Sequence, residues 1–248
     1  MKKLLILSLI SFTICTFNFK IANAQTNLDI NSQIIKSLET DLTGDGKTEN
    51  IILSGVSLNN SPLYENIKIT ISDNKTGATL FSIIPTTNIG YEPTIMLGDF
   101  TGDGLCEVFY ASSTNDKVGC YYLYAFNEDY LVLYDYESDI TNCVATYEDW
   151  YKLKVYNEDN SYIVDLSNNS KELNSIYNDG KVIDNINAKI SNAVKVFPYY
   201  DYSLNKYSLL VIRNITTKNS GVVLCNLVES LNFVSGENSL VKNSRVIV

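Results

Sequence analysis

Two nine-residue stretches of this chain carry the same acidic pattern, and each delivers it into the start of a strand. Asp41-Leu42-Thr43-Gly44-Asp45-Gly46-Lys47-Thr48-Glu49 is answered by Asp99-Phe100-Thr101-Gly102-Asp103-Gly104-Leu105-Cys106-Glu107. Both read D-Φ-T-G-D-G-x-x-E, and both run into an apolar segment, Ile51-Ile52-Leu53 and Val108-Phe109-Tyr110. Side-chain oxygens at positions 1, 3, 5 and 9 suit a hard cation such as Ca²⁺, which takes roughly six to eight oxygens at about 2.3–2.6 Å. Glycines at positions 4 and 6 let a short loop wind tightly enough to deliver them. An EF-hand or dockerin loop needs an acid at position 12 and a flanking helix. Position 12 is Ile52 in one copy and Tyr110 in the other, with strand signals following, so that reading fails. A bare Asx-Gly turn is the competing reading, and the second copy with the same Glu and the same downstream strand weighs against it.

Strand signals fill the rest of the chain. Ile67, Ile69 and Ile71 alternate with polar partners, and Asp73-Asn74-Lys75-Thr76-Gly77 predicts a turn before a further run, Thr79 to Ile84. Further strands are expected at Tyr121–Phe126, Tyr130–Tyr134, Lys152–Asn157, Tyr162–Leu166, Tyr207–Ile212 and Gly221–Leu227, separated by Asn/Asp/Ser/Gly clusters. The helix-like windows are Ser32–Leu38 and Lys181–Val194. The two acidic loops begin 58 residues apart, at 41 and 99. A period of this size with about four strands per unit marks propeller blades or a related repeat. The expected fold is therefore all-β, a β-propeller-like repeat of about four units, near the lower limit for closure. An open or incomplete propeller and a sandwich-like stack are the alternatives. A third echo at 201–209, Asp201-Tyr202-Ser203-Leu204-Asn205-Lys206-Tyr207-Ser208-Leu209, keeps oxygens at positions 1, 3 and 5 but lacks both glycines and the final acid. It reads as a degenerate unit with the same turn and little hold on a metal.

The first 24 residues read as a cleaved signal peptide: Lys2 and Lys3, an apolar run from Leu4 to Phe19, and Ala22-Asn23-Ala24 before Gln25. The remaining 25–248 are expected to form a single secreted β-repeat domain, extracellular or held near the cell surface, with no further segment apolar enough to span a bilayer. Loss of Lys2, Lys3 and Lys20 takes the net charge from −9 to −12, which argues against nucleic acid and anionic membranes as partners. Histidine is absent, so Ser-His and Cys-His catalysis and His-ligated metal sites are excluded. Cys106, Cys120, Cys143 and Cys225 lack metal-ligand spacing, and the sequence leaves disulfides and buried free thiols equally open.

The two loops resemble the FG-GAP/VCBS repeat of integrin-α-type β-propellers and many exported bacterial proteins, whose signature runs D-x-[DN]-x-D-G-x-x-[DE] before a strand. Ile95-Met96-Leu97-Gly98-Asp99-Phe100-Thr101-Gly102-Asp103-Gly104 is an especially close match. The resemblance implies two Ca²⁺ sites. One uses the side chains of Asp41, Thr43, Asp45 and Glu49 with the Lys47 carbonyl, the other Asp99, Thr101, Asp103 and Glu107 with the Leu105 carbonyl. Thr at position 3 departs from the commoner Asp or Asn, which places the expected affinity toward about 10⁻⁴–10⁻³ M. The expected protein is non-catalytic and calcium-stapled, and it recognises a protein or glycan. A polysaccharide hydrolase using two of Glu128, Asp129, Asp135, Glu137, Glu148 and Asp149 is the competing enzyme reading. A structural envelope role is the third.

Overall fold

The computed structural model describes residues 31–247, apart from 60, 115–118, 127–128, 170–172, 184–186 and 235–236. The expected signal peptide at 1–24 lies outside the described residues. The fold is all-β with antiparallel sheets, none of them closed. Strands β1 (Gln33–Thr40), β2 (Glu49–Ser57), β3 (Leu63–Asp73) and β4 (Thr79–Ile83) pair in succession, followed by β5 (Gly90–Gly98), β6 (Glu107–Ser113), β7 (Gly119–Phe126) and β8 (Tyr130–Asp135). These eight make one sheet, because the start of β3 also pairs β5 through Leu63↔Tyr91 and Tyr64↔Gly90. Next come a three-stranded sheet, β9 (Val144–Glu148), β10 (Lys152–Tyr156) and β11 (Ser161–Asp165), and a small hairpin, β12 (Tyr177–Asn178) with β13 (Lys181–Val182). The last sheet is the four-stranded β14 (Lys189–Asp201), β15 (Lys206–Thr216), β16 (Val223–Val234) and β17 (Glu237–Ile247).

Alternation along each strand explains how these sheets share cores. In β6, Val108 and Tyr110 face one cluster with Ile51, Leu53, Ile67, Ile69 and Ile71, while Phe109 faces another. In β7, Tyr122 and Tyr124 likewise join the first cluster and Leu123 the second. That second cluster is completed by Ala193, Val196, Leu209, Val211, Leu231 and Phe233 of the four-stranded sheet. Strands β6 and β7 are thus buried on both faces, which is why Val108-Phe109-Tyr110 is a continuous apolar run and not an alternating one.

The helix-like windows are corrected. Ser32–Leu38 lies almost wholly in β1, and the described parts of Lys181–Val194 are strand at 181–182 and from 189 onward. Neighbouring strands supply ladder hydrogen bonds and a pleated face there, which override a short, ambiguous apolar period. Cys106, Cys120, Cys143 and Cys225 are free thiols. Burial pushes the Cys225 thiol up to about 11, as expected of a packing residue.

Candidate metal centre

Both acidic loops join the strands of an antiparallel hairpin. Loop 41–49 links β1 to β2 with Thr40 opposite Glu49, and loop 99–107 links β5 to β6 with Gly98 opposite Glu107. The first aspartate winds each loop. Asp41 accepts from Gly44 N at 2.7 Å and Gly46 N at 2.9 Å, and Asp99 accepts from Gly102 N at 2.5 Å and Gly104 N at 3.0 Å. Bonding of this kind requires the four glycines to adopt φ between +76° and +88°, the left-handed region where a Cβ would clash. The aspartate at position 5 caps the next turn, Asp45 accepting from Lys47 N at 2.8 Å and Asp103 from Leu105 N at 2.9 Å. Leu42 and Phe100, at position 2, are buried anchors, and the position-9 glutamates are buried beneath the loops.

The two loops then diverge. At 41–49, Asp41, Asp45 and Glu49 each bring a carboxylate oxygen within 4.8 Å of the others. Two oxygens bound to one Ca²⁺ lie no farther apart than about 4.6–5.2 Å, twice the metal–oxygen distance, so this spread fits a shared ion. Glu49 Oε2 also accepts from Leu42 N at 2.7 Å. Lys47 Nζ stands 2.7 Å from Asp45 Oδ2 in an exposed ion pair that holds the Asp45 carboxyl below its usual range. An exposed pair of this sort is held weakly against water and salt, so an ion can displace it.

At 99–107 the glutamate is committed elsewhere. Glu107 Oε2 accepts from Phe100 N at 2.6 Å and Thr101 N at 3.3 Å, and its Oε1 accepts from Thr101 Oγ1 at 3.0 Å. Burial pushes this carboxyl up to about 7 against the pull of those donors. Among the described residues, no second trio of acidic side chains gathers as closely as Asp41, Asp45 and Glu49.

The 201–209 segment is a shorter hairpin than its echo of the motif suggests. Asp201 pairs directly with Lys206 across β14 and β15, so four residues make the turn, and Asp201 accepts from Ser203 N at 2.9 Å. The expected common turn is therefore corrected: without glycines at positions 4 and 6 the wide loop does not form, and pairing resumes at position 6. The three hairpins touch in series. Leu105 packs on Gly44, Tyr207 N donates to Asp99 O at 2.7 Å, and Phe100 and Tyr207 have ring centroids 5.6 Å apart.

A second constellation went unread in the sequence. Arg213 is 1% exposed and donates from Nε to Glu229 Oε2 at 2.6 Å, from Nη1 to the Asp139 carbonyl at 3.3 Å, and from Nη2 to Asp139 Oδ2. Tyr134 Oη donates to Asp139 at 3.0 Å and Thr141 Oγ1 to Glu229 at 2.9 Å. Residues 209, 211, 213 and 215 share one face of β15, as do 225, 227, 229, 231 and 233 on β16. Leu209, Val211, Leu231 and Phe233 pack under the eight-stranded sheet, whereas Ile215, Cys225 and Leu227 pack under β9–β11. The ionic cluster fills the seam between the two cores. The available signal was a charged residue at an inward position of each strand, Arg213 being one of two arginines in the chain.

Four of the acids named for the hydrolase reading have partners of their own. Asp129 accepts from Tyr130 N, Asp135 from Glu137 N, Glu137 from Thr87 and Tyr136 hydroxyls, and Asp149 pairs Lys181 at 2.7 Å beside the exposed Trp150. Glu148 ends β9, and Glu128 lies outside the described residues.

Residues 141–245 match the family model described as the YybI C-terminal domain. That stretch begins after both acidic loops and contains Thr141, Arg213 and Glu229. The chain is also similar to the uncharacterized protein YybI of Bacillus subtilis (strain 168), at 34% identity over 160 residues, 60% of each protein. It therefore spans about three fifths of the length of that curated relative. No solved structure matches the chain. Among the described residues, no helix is long and apolar enough to cross a membrane.

Proposed function

We infer that this is an exported, non-catalytic calcium-binding β-repeat protein whose stapled hairpins present a surface to a protein or glycan at or near the cell surface. The observation that carries the reading is the convergence of Asp41, Asp45 and Glu49 oxygens within 4.8 Å on a glycine-hinged loop. Three carboxylates so close repel one another, and a divalent ion converts that repulsion into a cross-link between β1 and β2. Thr43 and the Lys47 carbonyl complete the ligand set that the FG-GAP/VCBS resemblance implies. Support for a repeat comes from topology: β1–β4, β5–β8 and β14–β17 are each four consecutive antiparallel strands with an acidic hairpin first. On this reading they are three blades of an open, propeller-like array, with β9–β11 as a fourth, reduced unit.

The ion binds the folded loop and not the unfolded chain, so it stabilises by RT ln(1 + [L]/Kd). At about 2 mM free Ca²⁺ and a Kd of about 10⁻⁴–10⁻³ M, that is about 0.7–1.8 kcal/mol, or a rise in Tm of roughly 2–7 °C. Differential scanning calorimetry in CaCl₂ against EGTA should show this rise, and Asp45→Ala should remove it. Superimposable melting curves for the unmutated protein would refute the calcium reading.

A further inference from the structure

We propose that the outward face of the four-stranded sheet β14–β17 is a binding site for an acidic glycan, a polysaccharide whose sugars carry carboxylates. The inference rests on the surface-recognition half of the function proposed above, whose partner it names, and not on the calcium half.

Register across the sheet builds this face residue by residue. Antiparallel partners stand side by side on one face, so Lys195↔Ile212, Ile212↔Val228 and Val228↔Arg245 form one row across the four strands. Phe197↔Leu210, Leu210↔Ser230 and Ser230↔Asn243 form the next. Tyr199 follows on β14 and reaches across to β16, where its hydroxyl is bonded to Ser230 Oγ. A cleft of about 350 Å³ lies over these rows, within the roughly 300–1,000 Å³ of small-molecule sites. Leu210, Val228 and Ser230 line it from the two central strands, Tyr199 from one side and Asn243 and Arg245 from the other. Tyr162 Oη donates to the Ser244 carbonyl and Asn157 Nδ2 to Ser244 Oγ at 3.4 Å, which ties β17 to the β10–β11 hairpin beside Arg245.

Each part of the face suits one part of an acidic sugar. Aromatic rings take the apolar face of a pyranose by stacking, and Phe197, 46% exposed, shares this face of β14 with Tyr199. The Ser230 hydroxyl and the exposed Asn243 carboxamide offer hydrogen bonds to sugar hydroxyls. Arg245, also exposed, presents the planar donor fork that grips a carboxylate bidentately. Charge supports the reading. The chain is net −9, yet both charged residues of these rows are cations, Lys195 and Arg245. Among the described residues neither meets an acid at ion-pair distance, whereas the other arginine of the chain, Arg213, is buried between two. The two cations stand three strand spacings apart, about 14 Å. A small anion reaches one of them, and a polymer with carboxylates along its length reaches both.

The test is isothermal titration calorimetry of the whole chain in EGTA with hexasaccharides of galacturonate, mannuronate and hyaluronan, against neutral maltohexaose and poly-L-glutamate. At least one of the three acidic sugars should bind, more weakly as NaCl rises, and the two controls should not. Arg245→Ala should weaken binding by about tenfold or more, the scale of a lost bond to a charged group. Lys195→Ala and Phe197→Ala should weaken it less, and Lys195→Ala/Arg245→Ala should abolish it. Lys75→Ala/Lys218→Ala removes as much exposed charge from other segments and should leave the affinity unchanged. No binding by any of the three acidic sugars would overturn the proposal, as would binding that survives Lys195→Ala/Arg245→Ala or falls equally in Lys75→Ala/Lys218→Ala. Equal binding of maltohexaose would remove the role of charge, and equal binding of poly-L-glutamate would make the occupant an acidic protein segment. If no sugar binds while CaCl₂ still raises the melting temperature, this inference fails and the calcium reading stands.

Discussion

Replacing Arg213 with methionine is expected to destabilise the protein by about 3–5 kcal/mol, the usual cost of stranding buried charge. The substitution keeps the apolar stem of the side chain, so the packing of that stem is retained. What it removes is the guanidinium that bonds both Glu229 and Asp139 in a region where all three residues are nearly inaccessible. Two buried carboxylates would then have lost their shared guanidinium, while keeping the Tyr134 and Thr141 hydroxyls as donors. The triple change Arg213→Met/Asp139→Leu/Glu229→Leu should recover most of the loss, because apolar residues of similar volume often replace a buried ionic group without penalty. Urea unfolding of the single and triple variants checks both statements. A single variant within about 1 kcal/mol of the unmutated protein would show that the seam tolerates unpaired charge.

Phe100→Ala should cost about 3–5 kcal/mol and lower Tm by roughly 10 °C. Phe100 is 0% exposed and is the position-2 anchor of the second loop. Its ring sits among Leu209, Val211, Leu231 and Phe233 of the four-stranded sheet and against Tyr207, so the cavity opens where the two largest sheets meet. The surrounding strands are held by ladders on both sides and collapse little into the gap, which places the cost at the upper end for a core truncation. The calcium-dependent rise in Tm should survive in this variant, since Leu42 and the first loop belong to the other core. Loss of that rise would mean that the two loops bind and fold as one unit.

The reading of individual segments worked where chemistry is local. Ile67, Ile69 and Ile71 alternate into β3, the 73–77 turn forms with Asp73 accepting from Thr76 N at 2.6 Å, and both glycine-hinged loops wind around their first aspartate. Each depends on residues within a few positions of one another. The helix-like windows failed because Ile34, Ile35 and Leu38 satisfy a helical period as well as a strand's, and only the pairing of β1 with β2 decides between them. The 201–209 turn was misread for a related reason: its oxygens match the motif, but the missing glycines leave no left-handed hinge for a wide loop.

The amino-acid order by itself therefore determined an all-β chain, its strand-and-turn rhythm, and the two glycine-hinged acidic loops. Tertiary structure alone decided that the loops have unequal neighbours: Leu105 packs on Gly44, whereas Lys206 reaches Gly102 from more than a hundred residues away. It alone brought Asp139, Arg213 and Glu229 together at the seam of two cores. Spacing along a chain encodes backbone geometry over a few residues, whereas the partner of a buried charge is set by which sheets stack, a contact that no local pattern records.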